Sequence, residues 1–486
     1  RRGLGRVAAL VSLATLLSRV LGLVREQVFA ALLGASALAD AYVAAFRVPN
    51  LLRDLLAEGA LAQAFVPSFR AELTQRGPDD AYRLAARVTG NLLVVVGTLV
   101  VLGLIGAPVL VDAMVGEFVR VDGKLELTVL LSRVMMPFLL IASLTAVAMG
   151  MQYAHEQYTA PALSPATFNL VAIAVGIGLH VSGLPTRGVV IGWALGTVVA
   201  GCAQLVLQLP GLWRVGWRPR LDLDLRLRDP AVRRIVRVMG PAILAAAAVQ
   251  LNVFLNTSFA AEDPGAVSWL SYAFRFLQLP IGVFGVAIAT VSVTRYADAA
   301  TSGDRAALAR HATDGLRLVA FLCVPAAVGL AVDADAVIRL VYQHGRFAER
   351  DTTATADVLV LYALGLPAYA AVKVLTPACY AVERTRLAVI AAVLAIAVNL
   401  AISVAFHDAY GFRALAVGTS LGAIANAVVL AFGVHRGVTA LPGRELVTHL
   451  ARVALAAAVM GAAAWATGRG LDGALGHEGL GARAVD

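Results

Sequence analysis

Apolar runs of about 20 residues recur along the whole chain, and they constrain its fold more than any other feature. A run of that length lets one helix cross the hydrocarbon core of a bilayer. Charged residues make up 15% of the 486 residues, against about 25% in soluble domains. The mean hydropathy is +0.79. The sequence therefore predicts an all-α polytopic membrane protein.

Thirteen stretches fit such spans, and the arginines between them indicate their orientation. With a cytoplasmic N-terminus, the arginine-rich turns fall on the cytoplasmic side, as the positive-inside rule requires. The same arginines produce the net charge of +9, so we expect membrane lipids and no nucleic acid as partners. The predicted spans lie near residues 6–33, 39–68, 87–111, 127–152, 160–181, 188–210, 235–261, 266–294, 315–332, 354–380, 387–406, 412–434 and 448–468.

Two halves of the chain repeat each other weakly but in the same order. The echoes are YAHE at 153–156 with YAVE at 380–383, Asn169-Leu170 with Asn399-Leu400, ALGT at 194–197 with AVGT at 416–419, and Phe46-Arg47 before Pro49 with Phe274-Arg275 before Pro280. Six spans in each half keep both halves in one orientation, which predicts a parallel pseudo-two-fold repeat of two six-helix bundles around a central cavity. The predicted parts are an N-terminal six-helix lobe (1–210), a basic cytoplasmic linker (211–234), a C-terminal six-helix lobe (235–436) and a thirteenth helix with the tail (437–486).

Several ionisable residues fall inside predicted spans, where each costs at least about 2.5–3.5 kcal/mol on insertion scales. Such groups can snorkel to the interface or form internal pairs. The arginines outnumber the acidic partners, however, which predicts a water-filled cationic cavity. A guanidinium fork matches phosphate oxygens, so we expect an anionic substrate. The residues are Arg19, Arg25, Glu26, Asp40, Arg47, Arg53, Asp54, Glu58, Arg275 and Lys373.

Catalytic and cofactor motifs are missing from the sequence. No P-loop, HExxH pair or G-x-S-x-G elbow occurs, and the three cysteines have no metal-ligand spacing. We therefore expect a transporter and not an enzyme, with no metal site and no cofactor. Without a nucleotide site, directional transport must draw on the membrane potential, an ion gradient or substrate supply.

Five motifs resemble one known family. They are SRVLGLVRE through EGALAQAFVPSF at 18–69, MGPAIL at 239–244, VSWLSYAFRFLQLPIGVFGVAI at 267–288, VYQHGRF at 341–347 and VKVLTPACYA at 372–381. In this order they are similar to the MurJ (MviN) family of lipid II flippases, which belongs to an exporter superfamily. The resemblance implies a bacterial inner-membrane flippase that moves lipid II, a polyprenyl-pyrophosphate-linked peptidoglycan precursor, to the outer leaflet.

The resemblance also implies roles for individual residues. It assigns substrate binding to Arg19, Arg25, Arg53, Arg275, Ser18 and Ser268, with Asp40, Glu58 and Lys373 expected in gating or charge pairing. Gln278 stands where many relatives carry an acid, so that acid's role does not transfer. The family has fourteen spans, and the chain stops at Asp486 after the thirteenth, so we expect truncation before a last helix.

The hypothesis is alternating access: the cavity arginines pair with the pyrophosphate, and rocking of the bundles re-exposes the headgroup outside. One alternative is an exporter of another polyprenyl-pyrophosphate-linked oligosaccharide in the same superfamily. A cationic-drug exporter would need a more acidic cavity, and a polyprenyl-phosphate enzyme would need an acidic metal motif. A scaffold without transport has no reason to keep arginines inside the bilayer. Cell-wall synthesis complexes are possible partners.

Overall fold

The computed structural model describes residues 2–55, 61–285, 302–382, 384–437 and 440–475, together with positions 288, 292, 295, 296 and 299. Within those ranges the chain is helical and contains no strand. The helices are α1 (Arg2–Leu33), α2 (Ala37–Arg53), α3 (Ala62–Gln75), α4 (Pro78–Val115), α5 (Lys124–Met135), α6 (Pro137–Ala154), α7 (Thr159–Val181), α8 (Thr186–Arg214), α9 (Pro230–Ala260), α10 (Ala266–Pro280), α11 (Arg305–Val332), α12 (Ala334–Tyr342), α13 (Glu349–Ala363), α14 (Leu366–Ala381), α15 (Thr385–Tyr410), α16 (Phe412–Gly437) and α17 (Gly443–Leu475).

Helix boundaries follow local chemistry. The Ser36 side chain accepts from the Ala39 amide and caps α2, and the Asp229 carboxylate caps α9 by accepting from the Ala231 amide at 2.8 Å. Gly34, at a φ of 62°, lies in the turn after α1. These caps separate successive apolar helices by short turns, which is why the chain runs back and forth across the bilayer.

Eight described helices are long and apolar enough to cross a membrane, and the bent pair α13–α14 would make a ninth. Each of these nine matches one of the thirteen predicted spans in order. The other four predicted spans, near 6–33, 39–68, 235–261 and 266–294, also hold helices in their described parts. The all-helical multi-span class is thus confirmed.

The chain divides into two compact units, residues 1–265 and 266–486. In the first unit α1 packs on α7, α7 on α8, α6 on α8, α2 on α5, and α4 on α5 and α6. In the second unit α15 packs on α16, α14 on α16, α10 on α13, and α11 on α13 and α14. The contacts of the second unit therefore repeat those of the first between helices that the sequence repeat relates. The α1–α7 contact is the exception, because α9, the repeat equivalent of α1, belongs to the first unit.

Helix α9 belongs to the first unit, although the predicted C-terminal lobe begins at 235. Its Val232 and Ile235 side chains are buried in the core cluster that surrounds Phe65 and Phe69. This apolar contact with α3 and α4 explains why the compact unit extends to residue 265. The lobe boundaries at 210 and 234 remain a prediction about the repeat.

Prolines interrupt the spans at equivalent places. Met136 separates α5 from α6 just before Pro137, and α13 and α14 meet at a bend of 42° just before Pro367. A proline removes a backbone donor, which explains a break at these points. Pro280 ends α10 and is followed by a π-helical turn at Ile281–Gly285, so the interruption expected at this proline is present.

Candidate substrate-binding site

Two of the predicted arginines reach one pair of phenylalanines in the first unit. The Arg25 guanidinium carbon lies 5.5 Å from the Phe168 ring centroid, and that of Arg53 lies 5.9 Å from the Phe138 centroid. The two rings are themselves 5.9 Å apart. Cation–π attraction of this kind holds a guanidinium in place while leaving its edge free to donate. Arg25 and Arg53 therefore share one site although α1 and α2 carry them separately.

A close helix contact fixes the phenylalanine pair. Phe138 is 1% exposed and packs against Gly201 of α8. A β-carbon on Gly201 would lie 2.8 Å from the Phe138 ring, so any larger residue there would displace the ring. Glycine on α8 thus positions the platform on which Arg53 rests.

Each of these arginines also contacts the carboxylate that follows it in the chain. Arg25 donates to Glu26, and Arg53 donates to Asp54 through Nη2 at 2.9 Å and Nε at 3.2 Å. Asp54 accepts a further hydrogen bond from Gln250 of α9 at 3.1 Å. The four charged side chains are 12–31% exposed. These partners orient the arginines at a boundary that water can still reach.

The other predicted residues of α1 and α2 are distributed around this site. Ser18 and Arg19 are half-buried, and the Ser18 carbonyl accepts from the Asn169 amide of α7 at 2.9 Å. Arg47 is half-buried on α2. Glu58 lies outside the described residues. The backbone of Ser18, and not its hydroxyl, thus makes the contact between α1 and α7.

Asp40 has a partner that sequence reasoning missed. Lys124 donates to the Asp40 carboxylate at 2.9 Å, with the two side chains 2% and 0% exposed. The Gly265 amide donates to the same carboxylate oxygen at 2.8 Å. The Lys124 ammonium also lies 3.7 Å from the Phe118 ring centroid. Lys124 precedes the apolar run at 127–152, and it is the buried first residue of α5.

The second unit holds the remaining predicted residues, Ser268, Arg275 and Lys373. Ser268 is fully buried on α10, where Arg275 is half-buried. Aromatic packing fixes this face of α10, with the Tyr272 ring 5.0 Å from the Tyr342 ring. Lys373 is exposed on α14 and forms no ion pair with a described residue. Its predicted charge pairing therefore has no described carboxylate to support it.

Among the described residues no group of three or more histidine, cysteine, aspartate and glutamate side chains could hold a metal. The site is instead a set of fixed guanidinium donors. Arg25 pairs with Glu26 and Arg53 with Asp54, while Asp40 pairs with Lys124. Such a site can bind an anion through several charge-assisted hydrogen bonds.

Solved structures define the class of the fold. The chain superimposes on "Lipid II flippase MurJ, inward closed conformation" with a TM-score of 0.81 at 24% identity, covering 94% of this chain and 93% of that one. It matches an inward-facing multidrug resistance MATE family transporter of the MOP superfamily with a TM-score of 0.72 at 17% identity, covering 86% and 94%. The chain therefore shares the all-helical, multi-span fold of these two proteins.

Sequence relatives then identify the family. The profile described as "Lipid II flippase MurJ" matches residues 29–473. The chain is 34% identical over 465 residues to the probable lipid II flippase MurJ of Rhizobium meliloti (strain 1021), covering 94% of this chain and 85% of the relative. It is 33% identical over 437 residues to the lipid II flippase MurJ of Burkholderia cenocepacia, covering 89% and 84%. The chain belongs to the lipid II flippase MurJ family, whose members are transporters and not enzymes, and it is a multi-pass membrane protein.

Proposed function

We propose that this chain translocates lipid II from the cytoplasmic to the outer leaflet of the bacterial inner membrane by alternating access. Membership of the MurJ family supports the substrate class. One observation carries the mechanism: Arg25 and Arg53 are held at the same phenylalanine pair, and their ion pairs with Glu26 and Asp54 remain partly exposed. A pyrophosphate presents several oxygens that a set of guanidinium forks can accommodate.

The proposed binding residues are Ser18, Arg19, Arg25 and Arg53 of the first unit with Ser268 and Arg275 of the second. The diphosphate replaces Glu26 and Asp54 as the acceptor for the arginines when it binds. Asp40, Glu58 and Lys373 act in gating or charge pairing. The polyprenyl tail stays in lipid, because no arginine is needed to hold a hydrocarbon chain.

The packing of each unit supports alternating access. Apart from α1 and α9, equivalent helices make equivalent neighbours inside the two units. Two bundles of the same construction can rock while each keeps its own core. The broken spans α5–α6 and α13–α14 supply equivalent bending points.

The proposed orientation places the N-terminus in the cytoplasm. In the first unit, one end carries the exposed Arg70, Arg76 and Arg83 and the basic stretch after α8, and the opposite end carries Arg120, Lys124 and Arg187. Arg70 pairs with Glu156, and Arg87 pairs with Asp222 and Asp229, which gathers the basic turns at one end. The positive-inside rule assigns that end to the cytoplasm.

The proposed energy source is the membrane potential or an ion gradient, with no cofactor. With a negative cytoplasm, each negative charge carried outward across 100 mV gains about 2.3 kcal/mol. The return of the empty cationic site is also favoured, because a positive charge gains free energy when it moves towards the negative cytoplasm. A dianionic headgroup and a cationic cavity are thus both driven in the productive direction.

The test is exposure of lipid II on the outer face of cells that depend on this chain alone. Arg19→Ala, Arg25→Ala, Arg53→Ala and Arg275→Ala are compared with Arg70→Ala, an exposed surface arginine, at matched membrane levels. The four site variants are expected to lose outer-face lipid II and accumulate it inside, while Arg70→Ala behaves as wild type. Unchanged exposure in all four would overturn the arginine mechanism.

The alternative substrate is another polyprenyl-pyrophosphate-linked oligosaccharide. The proposed arginine contacts recognise the pyrophosphate and do not distinguish one attached sugar from another. A different oligosaccharide therefore fits the same binding residues. Proteoliposomes containing either lipid II or a second pyrophosphate-linked oligosaccharide separate the two. Transport of the second lipid alone would replace the proposed substrate while leaving the arginine mechanism in place.

A further inference from the structure

The segment that follows α8 is fastened to the start of α4. The Asp222 amide donates to the Ala86 carbonyl at 3.4 Å, and Asn91 makes two bonds with the Asp224 backbone, at 2.9 Å and 3.1 Å. A β-carbon on Gly90 would lie 2.0 Å from the Asp222 carbonyl oxygen, so only glycine permits this approach. The segment is therefore held in a defined position on α4 by both backbone and side-chain hydrogen bonds.

The acidic side chains of the segment are used internally. Arg87 donates to Asp222 at 2.9 Å and to Asp229 at 2.6 Å. The Asp224 carboxylate accepts from the amides of Arg228 and Asp229 at 2.9 Å and 2.8 Å. All three carboxylates thereby have partners within the protein, although the Asp222 side chain remains 48% exposed.

The outward side is apolar and basic. Leu221, Leu223 and Leu225 are 70%, 59% and 54% exposed, and Trp213 is 48% exposed. The arginines Arg214, Arg220 and Arg226 are exposed, and their side chains form no ion pair with a described residue. We call residues 213–226 the linker surface.

The linker surface lies where a bilayer surface would meet α4. Asn91, which holds it, is three and four positions before the exposed Val94 and Val95, so these residues share one face of the helix. The same face continues through the exposed Leu102 of this span. The exposed leucines thus lie at the end of an apolar stripe on a helix that is long and apolar enough to cross a membrane.

We propose that the linker surface binds anionic phospholipid headgroups, with its leucines and Trp213 in the interface and Arg214, Arg220 and Arg226 on the phosphates. Charge complementarity selects this partner, since these three exposed arginines outnumber the one exposed carboxylate, Asp222, and the neighbouring apolar stripe belongs to a helix long enough to cross a membrane. The proposal rests on the chain spanning a membrane and does not depend on which lipid-linked substrate it moves. A soluble protein as the partner is the rival that the test addresses.

The first test measures phosphatidylglycerol binding to the purified full chain in detergent by native mass spectrometry. Arg214→Gln, Arg220→Gln and Arg226→Gln are combined in one variant, and the matched control carries Arg120→Gln, Arg187→Gln and Arg346→Gln, which are also exposed. The linker variant is expected to bind phosphatidylglycerol about fivefold more weakly for each arginine removed, while the control keeps wild-type binding. Equal binding by both variants would overturn the proposal.

A second test leaves every arginine in place. A photo-crosslinking phenylalanine analogue at position 223 is irradiated in nanodiscs of phosphatidylcholine with phosphatidylglycerol and in whole cells. Lipid adducts in both settings are the expected result. A crosslink to a protein, with no lipid adduct, would replace the lipid surface by a protein partner. Since this variant changes only one exposed leucine, it also covers the case in which the triple arginine variant does not fold.

Discussion

The first unit contains two kinds of charge pair, and they differ in what surrounds them. Lys124 and Asp40 are buried, and the Gly265 amide also donates to the Asp40 carboxylate. Arg25–Glu26 and Arg53–Asp54 are 12–31% exposed and rest on aromatic rings. A buried pair has exchanged its hydration for fixed partners, whereas a partly hydrated pair can exchange one acceptor for another. The comparison separates charges that hold the bundle together from charges that can take a ligand.

The largest expected loss of stability comes from removing one partner of the buried Lys124–Asp40 pair. Lys124→Met leaves the Asp40 carboxylate buried without its cation, and we expect a loss of about 3–5 kcal/mol in the free energy of unfolding. Denaturant titration in mixed micelles measures the loss. Arg120→Met is the matched control, since Arg120 is close in sequence and its side chain is 66% exposed; we expect this variant to stay within about 1 kcal/mol of wild type.

The double variant Asp40→Asn with Lys124→Met removes both charges and keeps an acceptor for the Gly265 amide. It is expected to recover most of the stability lost in Lys124→Met, because no unpaired charge remains. If the double variant is as unstable as Lys124→Met, the charge balance at Asp40 is not what stabilises this region.

A smaller effect is expected at the second kind of pair. Gln250→Leu removes the hydrogen bond to Asp54, and we expect a loss of about 1 kcal/mol in the free energy of unfolding, since Asp54 keeps Arg53 and partial hydration. The same micelle titration measures it. If Gln250→Leu lowered the free energy of unfolding as much as Lys124→Met, the two kinds of pair would not differ in the way proposed.

Substitution of Arg25 is expected to abolish transport while leaving the stability of the protein nearly unchanged. Arg25→Met should change the free energy of unfolding by less than about 1 kcal/mol, because the pair with Glu26 is partly exposed. Lipid II exposure should nevertheless be lost, because the guanidinium is the proposed ligand. Arg25→Lys keeps the charge without the fork and should restore transport only in part. Full transport by Arg25→Met would exclude Arg25 from the binding site.

The smallest effect concerns a carboxylate outside the bilayer. The amides of Asp229 and Arg228 lower the pKa of Asp224 below its ordinary range. Its contribution to stability is therefore complete above the ordinary aspartate value of about 3.9 and is lost as the pH falls through the lower folded-state value. Hydrogen-exchange protection of the two amides, corrected for intrinsic rates, should fall over that interval in wild type. Asp224→Ala should show low protection throughout, and a wild-type protection that does not change with pH would contradict the assignment.

Much of the fold could be predicted from the sequence because lipid imposes one requirement on every span. A backbone in hydrocarbon must satisfy its own hydrogen bonds, so an apolar run of sufficient length has to be helical. The stretches at 160–181 and 412–434 match Thr159–Val181 and Phe412–Gly437 within a few residues. The prediction for 39–68 was coarser, since Arg53 and Asp54 end α2 inside that stretch.

The candidate site was only partly predictable. The arginines could be identified because a charge in an apolar run is conspicuous and the motifs matched a known family. Lys124 was missed because its partner Asp40 is 84 residues away, and spacing along a chain does not reveal a pair of that separation. Phe138 and Phe168 were missed for a different reason: a phenylalanine in a span carries no signal of its own until a guanidinium is found over its ring.

The separation of Asp40 from Lys124 also has a consequence for biogenesis. The aspartate leaves the ribosome 84 residues before the lysine, which at ordinary elongation rates is an interval of about 4 to 17 s. During that interval α2 cannot settle with an ionised Asp40 in its final environment. The first helical hairpin must therefore be accommodated by the insertion machinery until α5 has been synthesised. Arrival of Lys124 is thus a natural checkpoint for closing the first bundle during synthesis.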